Sequence, residues 1–201
     1  FTPWVHWPET MMSYDMTDGI LFSGDAFGSF GALDGGAFDD QVIFDDRRES
    51  EMRRYYSNIV GKYSNMVQKA FVKLSALDIR TICPLHGLVW RKDPAKVIEL
   101  YRRWSHYEAE DGVVVIYGSM YGNTAQMADY IAFKLAEGGI KQIRVHDASK
   151  THISYLINDI WRYKGVILGS CAYNTLMLPT MDALTRELLH IGVKNRYLGL
   201  F

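Results

Sequence analysis

The sequence is poor in cysteine, in surplus positive charge and in long apolar runs, and each shortage excludes a class of protein. Cys83 and Cys171 form no C-x-x-C pair, which argues against a disulfide scaffold and a cysteine-based zinc or iron–sulfur site. A net charge of -1 leaves no surplus of positive charge to attract a nucleic acid or an anionic membrane. No apolar run approaches the ~20 residues that cross a bilayer, so we expect a cytoplasmic protein in a reducing compartment.

The two ends of the chain have the character of cut points. The chain starts at Phe1 without a methionine, and residues 196–201 have the apolar character of a strand. We therefore expect an internal stretch of a longer protein. Because 48% of its 201 residues are hydrophobic, the chain can supply two small domains with a core each.

The first predicted domain covers residues 1–110 and mixes short strands with helices. Apolar residues recur at helical spacing over a long central segment, and Gly61 marks a kink or break within it. Pro84 marks the exit of a strand, which places His86 just past a strand end. In chain order the predicted elements are a strand at 19–25, helical segments within 47–77, a strand at 79–84 and a helix at 94–107.

The second predicted domain covers residues 111–201 and alternates strands with helices, after a charged linker near residue 110. Near-continuous apolar strands that alternate with helices indicate a parallel sheet covered on both faces. The predicted strands lie at 113–117, 140–145, 165–169 and 196–201, and the helices at 124–136, 152–162 and 180–189. This domain is therefore expected to be a doubly wound α/β sheet.

A turn rich in small polar residues follows the first of these strands and opens a helix. It contains Ser119, Met120, Tyr121, Gly122, Asn123 and Thr124. Free N–H groups and the positive end of the helix dipole make a helix N-terminus favourable for an anion. The turn has neither the lysine of a triphosphate loop nor a G-x-G-x-x-G motif, so a monophosphate fits it best. The alternative is a simple turn, since the same residues cap helices.

A second loop follows the third strand, and it strengthens the ligand interpretation. Ligands of open α/β sheets lie outside the carboxyl ends of the strands, where this loop also starts. The ring of Tyr173 is suited to stacking on a planar group. The candidate cofactor-binding residues of this loop are Ser170, Cys171, Ala172, Tyr173 and Asn174.

Three residues of the first domain form a candidate metal set. His6, Asp25 and His86 each lie next to a glycine, a proline or a strand end. Two imidazoles and a carboxylate suit Fe, Zn or Mn, with geometry deciding among them. From spacing alone, each histidine could equally be a polar residue bonded to a backbone carbonyl, and Asp25 could cap its loop.

Four motifs in this order resemble the flavodiiron proteins. They are H-W-P around His6, S-G-D-A-F-G around Asp25, L-D-G-G-x-F-D-D at residues 33–40, and H-G-x-x-W-R-K-D-P from His86. The segment 119–124 resembles the phosphate loop of flavodoxins, and Tyr173 and Asn174 occupy the place of residues beside the flavin ring. The resemblance covers essentially the whole chain.

The resemblance implies both the fold and the site. The fold would be the C-terminal part of a metallo-β-lactamase-like αββα domain followed by a partial flavodoxin-like doubly wound parallel sheet. His6 would bind one iron and His86 the other, with Asp25 bridging them; through the metals these residues would be catalytic. The family takes its remaining ligands from an H-x-E-x-D-H motif that this sequence lacks. Flavodoxins often have Pro-Thr where this chain has Cys171 and Ala172, and the family's third flavin loop would lie beyond residue 201.

The resemblance also implies cofactors, an activity and partners. The cofactors would be FMN and two Fe, and the reaction the reduction of O2 to water or of NO to N2O. Rubredoxin, an NADH-dependent reductase or a reduced deazaflavin would supply the electrons. The family forms a head-to-tail homodimer, or a dimer of dimers, which places the FMN of one subunit beside the metals of the other.

Two other functions remain open from the sequence. One is a flavodoxin-like electron carrier whose first domain is a metal-free docking module. The other is a zinc hydrolase of the metallo-β-lactamase type, which shares the fold and similar ligands but has no use for a flavin loop.

Other polar and aromatic residues are interpreted as structural. His106, His146, His152 and His190 belong to no motif, and the acidic segment 34–46 lacks the spacing of a calcium loop. We interpret that segment as a solvated loop with helix-capping roles. Trp7, Trp90 and Tyr121 are suited either to lining the site or to hydrophobic packing.

Overall fold

The computed structural model describes residues 2–201 and divides them into two compact units. The first ends at Glu108 and the second is Ala109–Phe201. Within residues 2–201, no helix combines the length and the apolar character that a transmembrane span needs.

The first unit contains a small three-stranded sheet and three α-helices. The sheet has the order β1-β2-β3, with β1 antiparallel and β3 parallel to β2. Its strands are β1 (Ser13–Asp15), β2 (Ile20–Gly24) and β3 (Thr81–Pro84). Its α-helices are α1 (Asp46–Tyr55), α2 (Ser64–Leu74) and α3 (Pro94–Ser105). The predicted helical segments and both predicted strands are present.

The helical segment breaks near Gly61, as predicted. A π-helical turn (Tyr56–Val60) and a 3-10 turn (Gly61–Tyr63) separate α1 from α2. At this break Tyr56 enters an aromatic core, where the ring of Tyr101 of α3 lies 4.8 Å from Phe27 and 4.9 Å from Tyr56, and Phe71 of α2 lies 6.2 Å from Phe27. This core supports β2, which ends immediately before Asp25.

The second unit is a four-stranded parallel sheet of order β5-β4-β6-β9. Its strands are β4 (Glu110–Gly118), β5 (Ile143–Asp147), β6 (Tyr163–Ser170) and β9 (Tyr197–Leu200). Its helices are α4 (Asn123–Glu137), α5 (Ile153–Arg162) and α6 (Pro179–Ile191). The predicted parallel sheet is confirmed.

The central strand β4 is buried on both faces, as its continuous apolar sequence predicts. Val114 and Ile116 pack with residues of α5 and α6, whereas Val113 and Val115 pack with Ala128 of α4. The helices therefore cover opposite faces of the sheet, and the carboxyl ends of the strands stay open for loops.

Three features of the structure differ from the sequence prediction. Strand β4 begins inside the predicted linker, because Glu110 pairs with Tyr163 and accepts a 2.8 Å hydrogen bond from Arg162. Strand β5 begins later than predicted, since the N–H of Ile140 still closes α4 on Leu135. Two short features, β1 and a hairpin after β6, were not predicted.

Candidate metal centre and cofactor loops

Asp25 follows β2 at a sharp bend of the backbone. Gly24 has a φ of 62° and Phe27 a φ of 66°, both in the left-handed region. Turn hydrogen bonds fix this bend: the Ser23 hydroxyl donates to the Ala26 carbonyl at 2.7 Å, and the Gly28 N–H donates to the Asp25 carbonyl at 3.2 Å. The bend turns the carboxylate of Asp25 out of the end of the strand.

His6 lies in a short loop that closes on itself. The N–H of Trp7 donates to the Thr10 hydroxyl at 3.0 Å, and the Thr10 hydroxyl donates back to the Trp7 carbonyl at 2.8 Å. A further bond from the N–H of Thr2 to the carbonyl of Thr10 closes the base of the loop at 3.0 Å. His6 is therefore held by its own loop rather than by a strand.

His86 lies in the turn that follows β3. The N–H of Leu85 donates to the Gly24 carbonyl at 2.9 Å, and the N–H of Ser29 donates to the His86 carbonyl at 3.3 Å. Gly87 has a φ of 84°, and an added Cβ there would overlap with the Ser29 hydroxyl oxygen. Close packing against the loop after β2 thus brings His86 beside Asp25.

The three candidate ligands converge, and each histidine faces a different oxygen of Asp25. His6 Nε2 lies 3.2 Å from Oδ2, and His86 Nε2 lies 3.4 Å from Oδ1. Two donor atoms that share one ion at about 2.1 Å lie roughly 3.0–3.4 Å apart at tetrahedral or octahedral angles. Both pairs have this spacing, so the donor set fits a carboxylate that bridges two metal ions.

The same geometry shows why the set is two pairs rather than one group. Within residues 2–201, no three His, Cys, Asp or Glu side chains surround one point closely enough to hold a metal by themselves. Each metal position would receive one imidazole and one carboxylate oxygen from these residues, and needs further ligands.

Tyr55 adds an aromatic wall that the sequence analysis did not single out. Its ring lies 5.6 Å from the ring of His86, and its side chain is buried. Burial, followed by the charge of Asp25, raises the pKa of Tyr55 far above its usual value, so its hydroxyl stays protonated. Tyr55 belongs to the central segment in which apolar residues recur at helical spacing, and only the tertiary structure places it at the site.

In the second unit, the predicted phosphate loop joins β4 to α4. The N–H of Gly122 donates to the Ser119 hydroxyl oxygen at 3.1 Å, and no side chain caps α4. Gly122 has a φ of 91° and no protein atom within 4 Å of an added Cβ. Thr124 is buried at the start of α4, whereas Met120 and Tyr121 are exposed. The uncapped helix N-terminus and the open space beside Gly122 fit a phosphate.

The second candidate loop adjoins the first, because β4 and β6 are neighbouring parallel strands. The N–H of Cys171 donates to the Gly118 carbonyl at 3.1 Å, so this amide is already used by the protein. The Ser170 hydroxyl donates to the Cys171 carbonyl at 2.9 Å and accepts from the Leu178 N–H at 3.0 Å. Ser170, through its hydroxyl, and Cys171, through its N–H, therefore hold the loop by bonds to backbone atoms.

An unpredicted hairpin forms the tip of this loop. Strands β7 (Ala172–Tyr173) and β8 (Leu176–Met177) pair antiparallel across Asn174 and Thr175, which have φ values of 48° and 65°. Tyr173 is paired with Leu176 and remains 44% exposed, so its ring is accessible to a planar ligand. The signal for this hairpin is weak in the sequence, since its turn contains no glycine.

Most of the residues interpreted as structural have structural partners. His146 Nε2 lies 2.7 Å from an Asp159 oxygen, and His152 caps α5. Trp90 is buried and donates to the Phe27 carbonyl at 3.3 Å, which makes it a packing residue. Trp7 and Tyr121 are exposed.

One interpretation of the acidic segment was wrong. Asp45 caps α1, as expected, but Asp39 is buried rather than solvated. Its carboxylate accepts hydrogen bonds from backbone N–H groups of the segment that follows His86.

Comparison with known proteins assigns each unit to a family. The family described as ODP family beta lactamase matches residues 1–87, and the flavodoxin family matches residues 115–196. Anaerobic nitric oxide reductase flavorubredoxin of Escherichia coli O1:K1 is 32% identical over 205 residues, covering 100% of this chain and 42% of that protein. The chain belongs to the flavodiiron protein family.

Solved structures agree with this family assignment. The rubredoxin oxygen:oxidoreductase of Desulfovibrio gigas has a TM-score of 0.94 and 28% identity, covering 100% of this chain and 50% of that one. The flavodiiron protein of Giardia intestinalis has a TM-score of 0.94 and 27% identity, with 100% and 49% coverage. The predicted fold, a lactamase-like domain followed by a flavodoxin-like domain, is confirmed. The flavodiiron chain spans about half the length of these relatives.

Proposed function

We propose that the protein containing this chain is an FMN- and diiron-dependent oxidoreductase that reduces O2 to water or NO to N2O. The observation that carries the proposal is the pair of contacts at Asp25, whose two oxygens lie 3.2 Å and 3.4 Å from two different imidazoles. A carboxylate shared in this way suits two cations held ~3.5–4 Å apart. Family membership implies both FMN and a diiron centre.

At the metal centre, Asp25 would hold both irons, with His6 on one and His86 on the other. Bound iron would supply the electrons and the binding positions for a small diatomic molecule. Tyr55 lies against His86 with a protonated hydroxyl, so it excludes water from one side of the imidazole without adding charge. The rest of the His86 side chain stays accessible, since 53% of it is exposed.

In the flavodoxin-like unit, the loop 119–124 would bind the FMN phosphate. The N-terminus of α4 directs backbone N–H groups towards an anion, and the Ser119 hydroxyl is oriented by its contact with Gly122. Thr124 and Asn123 add donors at the start of the helix. The exposed ring of Tyr173 would stack beside the isoalloxazine.

The relatives also suggest an electron donor and an assembly. The name of the Desulfovibrio gigas relative pairs rubredoxin with oxygen, so we propose a rubredoxin-type donor for this protein. We propose further that residues 1–110 form the diiron domain and residues 111–201 the FMN domain. A head-to-tail homodimer would then bring one subunit's FMN to the other's metals.

The test is metal and flavin analysis of the full-length protein, followed by assays of O2 and NO consumption with a chemical reductant. We expect two irons and one FMN per chain, and consumption of at least one of the two gases. Protein with FMN but no stoichiometric iron would instead support an electron carrier. Colourless protein with bound zinc would support a hydrolase.

A further inference from the structure

His86 lies at the turn of a hairpin whose two arms are paired. Ile82 and Trp90 exchange backbone hydrogen bonds of 2.8 Å and 2.9 Å. The incoming arm is β3, which is fixed in the sheet beside β2. The turn itself also contacts the loop after β2, through Leu85 and the His86 carbonyl. The remaining support of His86 is whatever fixes the outgoing arm, residues 88–93.

The outgoing arm is held by the segment 37–39. The N–H of Asp39 donates to the Val89 carbonyl at 3.0 Å, and the N–H of Val89 donates to the Ala37 carbonyl at 2.9 Å. Phe38 and Val89 thus form a parallel β-bridge. The two motifs that contain Asp39 and His86 are joined directly at this bridge.

The side chain of Asp39 also bonds to the outgoing arm, at residues that follow the β-bridge. Its Oδ1 accepts from the N–H groups of Arg91 at 2.9 Å and Lys92 at 3.0 Å, and its Oδ2 accepts from Asp93 at 2.9 Å. Asp39 is 7% exposed. Three consecutive amides that donate to one buried carboxylate constrain the backbone of the outgoing arm, because all three N–H groups must point towards the same side chain.

The segment that carries Asp39 is itself preformed. The Gln41 side-chain oxygen accepts from the N–H groups of Ala37 at 3.1 Å and Phe38 at 3.3 Å. An added Cβ on Gly36 would lie 2.7 Å from the Cβ of Gln41, so the loop also closes tightly at its start. The backbone that carries Asp39 is therefore held in place by its own contacts.

Contacts with the loop after β2 hold the backbone at His86, whereas its imidazole is largely exposed. The side chain is 53% exposed and lies near the ring of Tyr55, at 5.6 Å, and an Asp25 oxygen, at 3.4 Å. His6 differs, because its loop closes on itself through bonds among Thr2, Trp7 and Thr10. Movement of the outgoing arm would displace His86 and leave His6 in place.

We propose that Asp39 is a positioning residue for His86, and that it selectively maintains the metal position that His86 serves. This inference rests on the proposed diiron function. It assigns to Asp39 no contact with metal or substrate. Outer partners that orient a ligand change metal affinity by about 10–100-fold when removed.

The test is the substitution Asp39→Asn in the full-length protein, with Asp40→Asn as the matched control. Asn is nearly isosteric with Asp but cannot accept from all three amides, because its NH2 group donates. Asp40 is the adjacent carboxylate and pairs instead with the exposed Arg91 side chain at 3.1 Å. Iron and FMN per chain are measured during titration with a chelator, and the fold is monitored by circular dichroism.

We expect Asp39→Asn to release one of its two irons at about 10–100-fold lower chelator concentration, while the other iron and the FMN are retained. Asp40→Asn should release both irons as the parent does. Release of both irons together, parent-like retention of both, or the same loss in Asp40→Asn would overturn the proposal. A parent protein without iron would instead refute the proposed function.

A second variant covers the case in which Asp39→Asn does not fold. Gln41→Ala removes the acceptor for Ala37 and Phe38 and leaves the carboxylate of Asp39 intact. Since Gln41 is exposed, this variant is expected to fold. A smaller loss of the same single iron supports the positioning role, and unchanged iron affinity in folded Gln41→Ala contradicts it.

Discussion

The two units build their sites in different ways. The candidate metal centre joins side chains from three segments that are far apart in sequence, and contacts within and between loops hold them in place. The cofactor site uses two loops at the ends of the neighbouring parallel strands β4 and β6, and its anion-binding groups are mostly backbone amides. The first site depends on particular side chains, whereas the second depends mainly on the local fold.

This difference determines how each site should respond to substitution. Loss of one side chain removes a ligand outright at the metal centre, because no neighbour can replace it. At the cofactor site, the helix N-terminus remains after most single substitutions, so losses there should be partial. Each unit has its own core, and damage to one site should spare the other.

The largest expected effect is that of Asp25→Ala. Removal of the shared carboxylate leaves two imidazoles with no common ligand, so O2 or NO reduction should fall by at least about 100-fold. Gas consumption and FMN absorbance of the full-length protein measure the two sites separately. Parent-like turnover would refute the bridging role, and loss of FMN would contradict the independence of the two sites.

The next effect is that of Thr124→Val on FMN retention. This change removes one donor at the start of α4 and keeps the side-chain shape, so FMN affinity should fall by about 10-fold while iron content stays unchanged. Fluorescence titration of the apoprotein gives the affinity. Thr185→Val serves as the control, since Thr185 bonds within α6 at 2.9 Å. Equal affinities for the parent and Thr124→Val would refute the phosphate-loop assignment.

The stability of the first unit should fall in acid because of Asp39, whose carboxylate joins the segment 37–39 to the arm after His86. Burial alone would raise the pKa of Asp39, but hydrogen bonds from backbone N–H groups, among them those of Arg91, Lys92 and Asp93, outweigh it and hold the pKa below its usual value. A lowered pKa contributes stability above the unfolded-state pKa, and this contribution is lost as pH falls through the folded-state value.

The measurement is urea unfolding between about pH 6 and pH 2, followed by tryptophan fluorescence. Asp39→Asn should be less stable near neutral pH and lose less free energy of unfolding on acidification than the parent. An acid response that remains parent-like would show that Asp39 contributes nothing to it. If Asp40→Asn reduces the loss of unfolding free energy on acidification by the same amount, the effect comes from removal of a negative charge alone.

The smallest expected effect is a gain at the hairpin of the cofactor site. Thr175 is β-branched and has a φ of 65°, a conformation that glycine adopts without steric cost. Thr175→Gly should raise the free energy of unfolding by about 0.5–1 kcal/mol. Asn174→Gly should gain less, because asparagine tolerates this region. Thermal unfolding compares them, and a destabilised Thr175→Gly would show that the hydroxyl of Thr175 outweighs its strain.

Much of the fold could be predicted because its signals are local. Apolar periodicity located every α-helix in residues 2–201, and glycine marked the break near Gly61. Strand boundaries were less accurate: Ile140 looks like strand in sequence but ends α4 by a hydrogen bond to Leu135. The hairpin at Asn174 and Thr175 was missed because its turn residues are not those that usually specify this geometry.

The candidate site was predictable in its residues but not in its supports. His6, Asp25 and His86 were selected by motif, and their convergence required tertiary structure. Asp39 looked solvated, because a run of aspartates is usually exposed and its partners are amides 52 to 54 positions away. No local pattern indicates such a contact.

The sequence by itself determined the family, the order of the two domains and the candidate side chains for metal and phosphate binding, because these depend on residue type, periodicity and motif. Only the tertiary structure decided that each imidazole faces its own oxygen of Asp25, that Tyr55 lies against His86, and that the buried Asp39 holds the arm beyond His86. These contacts join segments far apart in the chain, and their geometry follows from how the loops pack.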